Sequence, residues 1–66
     1  MELVADTSSL ISLDILEVLE DFVARTKVLT TSVVASELEE LASYGDIEGK
    51  AAKKILGLIE KGRIQN

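Results

Sequence analysis

The segment Leu3-Val4-Ala5 is apolar at every position, with no polar residue in the alternate places that a half-solvated strand would give it. Such a run reads as a strand buried on both faces, the pattern of parallel sheets. A parallel sheet cannot be built from hairpins, so each strand must lead into a crossover, usually a helix. The residues that follow have the spacing for one. Leu10, Ile11, Leu13, Leu16, Leu19, Phe22 and Val23 predict a helix from about Ser9 to Ala24, with Asp14 the place where it would break. Ser8 and Ser9 are candidate caps for its start. Asp14-Ile15-Leu16-Glu17 has the acidic cap and the third-position Glu of a capping box.

The alternation then repeats. Lys27-Val28-Leu29-Thr30-Thr31 predicts a second strand, and Thr31 and Ser32 are caps for a helix running to about Tyr44, where Gly45 stops it. Asp46 caps a helix from about Ile47 to Lys61. Its apolar positions are Ile47, Ala51, Ile55, Leu58 and Ile59, with Lys50, Lys53, Lys54 and Lys61 opposite. Gly62 takes the position just past the helix, and Arg63-Ile64-Gln65 opens a third strand. The order β-α-β-α-α-β predicts an α/β fold: a short three-stranded parallel sheet with helices packed on it.

A chain of 66 residues holds one domain, residues 1–66, and buries only about 60% of its unfolded surface, so its stability is marginal. It has no Cys, hence no disulfide and no thiolate ligand, and no His, hence no imidazole ligand or base. Any catalysis must run on carboxylates, hydroxyls, Lys or Arg. No apolar run approaches the roughly 20 residues of a membrane span. The start, Met1-Glu2, lacks a basic leader, so a cytoplasmic protein is the expectation. The net charge of −5 disfavours broad nonspecific attraction to nucleic acid.

In parallel sheets, ligands bind beyond the carboxyl ends of the strands. Asp6 lies at that end of the first strand, followed by Thr7, Ser8 and Ser9. Thr30 to Ser32 lie at that end of the second. On a helical wheel, Val33, Val34, Leu38 and Leu41 share an apolar sector, and Glu37 falls inside it while Glu39 and Glu40 fall outside or at its margin. A carboxylate turned toward a core is costly unless paired, hydrogen-bonded or bound to a cation. Taken singly, Asp6 reads as a strand-end cap and Glu37 as bonded to backbone amides or a Ser. Taken together, the two carboxylates point at one pocket lined also by Thr7, Ser8 and Ser32. Oxygen donors of this kind suit a hard cation such as Mg²⁺ or Mn²⁺, which can activate water beside a phosphodiester.

Three stretches, "LVADTSSLISL", "LTTSVVASELEEL" and "GKAAKKILGLIEKGRI", resemble the N-terminal half of a PIN domain, especially its archaeal and toxin-like branch. The resemblance spans almost the whole chain. It implies half of a doubly wound α/β fold and Mg²⁺- or Mn²⁺-dependent cleavage of single-stranded RNA. Asp6 matches the family's first Asp and Glu37 its Glu, the implied metal ligands. Thr7 or Ser8 matches a hydroxyl beside the metal. The family includes toxins held by an antitoxin, so an antitoxin-like protein and RNA are implied partners. A PIN domain is roughly twice this length, and the later acids of its site have no counterpart here; Asp46, Glu48 and Glu60 read as solvent-facing helix positions. The implied strand order, 3-2-1-4-5, leaves the first strand an open edge. That predicts a homodimer or higher oligomer, with first strand on first strand bringing two Asp6/Glu37 pairs into a four-acid cluster. The competing expectation is a non-catalytic dimerisation or partner-binding module in which the acids are vestigial. The Lys stripe reads as a solvated face, and Tyr44 as a packing residue.

Overall fold

A computed structural model describes residues 2–66. The elements are β1 (Glu2–Val4), α1 (Thr7–Ile15), α2 (Leu19–Arg25), β2 (Lys27–Leu29), α3 (Ser32–Ala42), α4 (Ile47–Glu60) and β3 (Ile64–Gln65). The strands form one parallel sheet in the order β1-β2-β3, with β2 in the middle. The chain is therefore α/β with a three-stranded parallel sheet.

The register sorts the sheet into two faces. Leu3 lies beside Val28 and Val28 beside Ile64. Val28 and Ile64 are buried, and Leu3 packs against the same core. All four helices add to that core: Leu10 and Ile11 from α1, Leu19 from α2, Val34 and Leu38 from α3, and Ala51, Ala52, Ile55 and Leu58 from α4. The other face carries the row Val4, Leu29 and Gln65 and the pair Glu2–Lys27, whose carboxylate and ammonium lie 3.6 Å apart. Val4 is 70% exposed there. Helices on both faces would mark a doubly wound fold; among the described residues they cover one. No described helix is long and apolar enough to cross a membrane.

Three helix starts follow one rule. Asp6, Thr31 and Asp46 stand extended ahead of α1, α3 and α4, and each side chain accepts an amide from the first turn. The cap of α1 is thus Asp6, not Ser8 or Ser9. The long helix expected over residues 9–24 is two helices, and the break lies beyond Asp14, at Leu16 to Val18. There Val18 N–H bonds Leu13 C=O and Glu17 N–H bonds Asp14 C=O, with Glu17 at φ 63°. This is the Schellman arrangement, a left-handed residue closing the helix. Asp14-to-Glu17 accordingly ends α1 instead of capping α2, whose start has no side-chain cap. The end of α4 repeats the pattern, with Gly62 at φ 78°, Gly62 N–H on Ile59 C=O and Arg63 N–H on Leu58 C=O.

Candidate functional site

The sheet's carboxyl edge is where α1 and α3 begin. Asp6 follows β1 after Ala5 and is exposed. Its Oδ1 accepts the Ser9 amide at 2.9 Å and the Ser8 hydroxyl at 3.4 Å. The Ser9 amide first, then the hydroxyls of Ser9 and Ser8, hold the Asp6 carboxyl below its ordinary value of 3.8.

That shift has a pH signature. A carboxylate whose pKa is depressed by folding adds stability above its unfolded value and loses it as pH falls through the folded one. The stability difference between the wild type and Asp6→Asn should therefore be constant above about pH 5 and shrink below about pH 4. Urea midpoints at a series of pH values check this; a difference unchanged down to pH 2 would mean the charged form is not what the cap prefers.

Glu37 lies on α3 and is exposed. The wheel had placed it inside the apolar sector, but the sector is narrower than it looked. Val34 and Leu38 are buried, whereas Val33 is 67% exposed. Glu37 stands with Val33, at the edge of the buried stripe. It is not an orphaned core carboxylate. It still reaches the expected neighbourhood, because its Oε1 accepts the hydroxyl of Thr7, the residue after Asp6. The two acids so come from separate crossovers and are joined through one threonine. Thr7, read from the sequence as lining the pocket of the two acids, holds Glu37 through its hydroxyl. Ser8 lies against Asp6. Ser32 opens α3 and is exposed, with Thr31 supplying the cap.

Beside this pair is an open hollow of about 500 Å³ between α1, α3 and the start of α4, within the size range of small-molecule sites. Thr7, Ser8 and Glu37 line it, together with Ile11, Ser12, Ile15, Glu40, Leu41 and Glu48. Asp6 and Ser32 are not among its walls. Sequence reasoning missed most of this lining. Ser8, Ile11, Ser12 and Ile15 do recur at helical spacing, but as a mixed polar and apolar stripe with no single character. Glu48, expected to face solvent, is exposed and also borders the hollow. Among the described residues, no three or more acids gather closely enough to hold a metal ion by themselves. No protein-family model, curated protein or solved structure matches the chain.

Proposed function

We propose that this is a PIN-like protein of the metal-dependent single-strand ribonuclease lineage, with Asp6 and Glu37 as ligands of one divalent cation, Mg²⁺ or Mn²⁺. The observation that carries this is the Thr7–Glu37 hydrogen bond, which brings the α3 carboxylate to the residue beside Asp6 at the carboxyl edge of the parallel sheet. The donor chemistry fits, since both groups are anionic oxygen ligands of the kind hard cations take. The number fits a partial site. Mg²⁺ keeps several waters and uses one or two carboxylates plus substrate phosphate. Bound there, the cation would lower the pKa of a coordinated water and offset charge on a phosphodiester.

In this proposal the chain's own residues have distinct parts. Asp6 and Glu37 hold the cation. Thr7 fixes the Glu37 carboxylate, and Ser8 and Ser32 offer hydroxyls to water or phosphate at the rim. Hydrolysis then needs further carboxylates, supplied by another chain or segment.

Thermal unfolding in EDTA, Mg²⁺ and Mn²⁺ tests the proposal. A cation present at about 100 times its Kd adds roughly 2.7 kcal/mol, a rise in Tm of about 10–20 °C for a domain this small. The wild type should gain in Mn²⁺, and Glu37→Gln and Asp6→Asn should not. A wild type indifferent to both metals would sink it.

One observation favours a second reading, the non-catalytic interaction module. The Asp6 carboxylate already has a structural role as the α1 cap, which accounts for it without any cation. That reading predicts no metal response and no cleavage of single-stranded RNA.

A further inference from the structure

The open side of β1 is a second feature that calls for a partner. Ala5 N–H bonds Leu29 C=O at 2.9 Å, so the odd residues of this strand aim their backbone groups at β2. Glu2 and Val4 aim theirs the other way, out of the sheet. Unpaired edges of this kind are templates for another strand. Natural edges are often protected by a lone charge, but Glu2 is already engaged by Lys27 at 3.6 Å. Under the same edge lies a hollow of about 430 Å³ lined by Leu3, Leu13, Phe22 and three small residues, Ser8, Ser9 and Ser12.

We infer that this edge takes a second copy of the chain, β1 against β1 in antiparallel register centred on Leu3, making one continuous six-stranded sheet. Symmetry selects the direction. A two-fold along the strands would set each residue level with its own copy, whereas a parallel ladder needs a one-residue offset. A two-fold along the sheet normal gives an antiparallel pair that closes on itself.

Charge selects the register. Centring on Leu3 places Glu2 opposite Val4 of the other copy. Both are outward-facing, so they exchange hydrogen bonds, and Leu3 meets Leu3 as the close, non-bonded pair. Centring on Glu2 sets two carboxylates face to face. Centring on Val4 sets Glu2 opposite Asp6. Like charges directly opposite are destabilising. The chosen register also closes the hollow, since both copies carry helices on the same face and the partner's β1 and α1 cover Leu3, Leu13 and Phe22.

In this register the pairing does not pool the acids. Antiparallel strands carry their carboxyl ends to opposite rims. The two Asp6 residues end about 20 Å apart along the strand direction, so each Asp6/Glu37 pair stays separate. The dimer stands whether or not those acids bind a cation.

The absence of Cys makes the test direct. Cα atoms of a close antiparallel pair lie about 4.5 Å apart, within disulfide reach. In EDTA and a mild thiol–disulfide buffer, Leu3→Cys should form a covalent dimer, while Val4→Cys and Ser36→Cys, on the exposed side of α3, should not. The unmodified chain should rise in mass from 7.1 kDa toward twice that in light scattering between about 10 µM and 1 mM. Val4→Pro removes an amide that β2 does not use, so it should keep its circular dichroism and remain monomeric. Three results would overturn the inference: crosslinking of Leu3→Cys no better than Ser36→Cys, crosslinking through Val4→Cys, or a dimeric mass for Val4→Pro. A cation response in the same preparations is read independently, by Tm.

Discussion

Gly49→Ala should be strongly destabilising, while Gly57→Ala, in the same helix, should raise stability. Gly49 is buried in the first turn of α4, where that helix is pressed against the end of α3. A Cβ there would stand 2.0 Å from Tyr44 C=O and 2.8 Å from Leu41 C=O. These are backbone oxygens, and the Tyr44 and Leu41 carbonyls belong to the turn that closes α3, where Tyr44 N–H bonds Leu41 C=O. Neither can rotate away as a side chain would. The turn must move by more than an ångström, or α4 must lift from α3. Overpacking of a fixed core costs about 1–3 kcal/mol and more where backbone is displaced. A chain of 66 residues has only about 3–10 kcal/mol in total. A Cβ at Gly57 meets nothing within 4 Å. The exchange there improves helix propensity by roughly 0.5–1 kcal/mol, about 2–8 °C in Tm. Urea midpoints of the two variants give opposite signs if α4 packs as described. Equal shifts would mean that the α3–α4 corner is looser than the Gly49 approach requires.

Helix ends show what a sequence can and cannot signal. Thr31, Asp46 and Gly62 were legible because each residue type is strongly tied to its position: an oxygen that accepts the first-turn amides, or a glycine that enters left-handed space without a Cβ. The end of α1 uses the same hydrogen-bond pattern as the end of α4, but with Glu17 where Gly62 stands. A non-glycine residue in that conformation costs about 1–2 kcal/mol, so nothing in its identity marks the turn. Asp14 looked like the break because it is an acid followed three residues later by another. In the folded chain it serves elsewhere, since its side chain is only 11% exposed and faces Lys54 of α4 at 3.9 Å. The parallel order of the strands was legible for a simpler reason, the alternation of short apolar runs with helices.

The candidate site divides in the same way. That Asp6 and Glu37 come near one rim followed from topology, because Asp6 lies just past one parallel strand and Glu37 lies in the second turn of the helix that follows its neighbour. The bond from Thr7 to Glu37 did not, because it depends on the rotation of α3 about its axis. Adjacent Val33 and Val34 widened the apparent apolar sector. Two neighbours on a helix are about 100° apart and cannot both face a narrow core. Val34 and Leu38 define the buried line, and Glu37 lies beside it.

The rotation of α3 yields the second large effect, the contrast between Leu38→Ala and Val33→Ala. Leu38 is fully buried among residues of α1 and α4, whereas Val33 is 67% exposed. Emptying the Leu38 position removes its transfer free energy and leaves a cavity, together about 2–5 kcal/mol. In a domain holding about 3–10 kcal/mol, that runs from roughly a fifth of the total to all of it. Val33→Ala should stay within about 0.5 kcal/mol. If α3 were turned so that Glu37 faced the core, Val33 would turn inward with it, and the two substitutions would cost alike. The pair of denaturation curves thus reads the orientation of Glu37 without any assay of function. Val33→Ala should also leave the Mn²⁺ response of the wild type intact, since it shifts neither the Thr7–Glu37 bond nor the Asp6 cap. A large loss from Val33→Ala would place Glu37 in the core and remove it from the rim where the proposed cation sits.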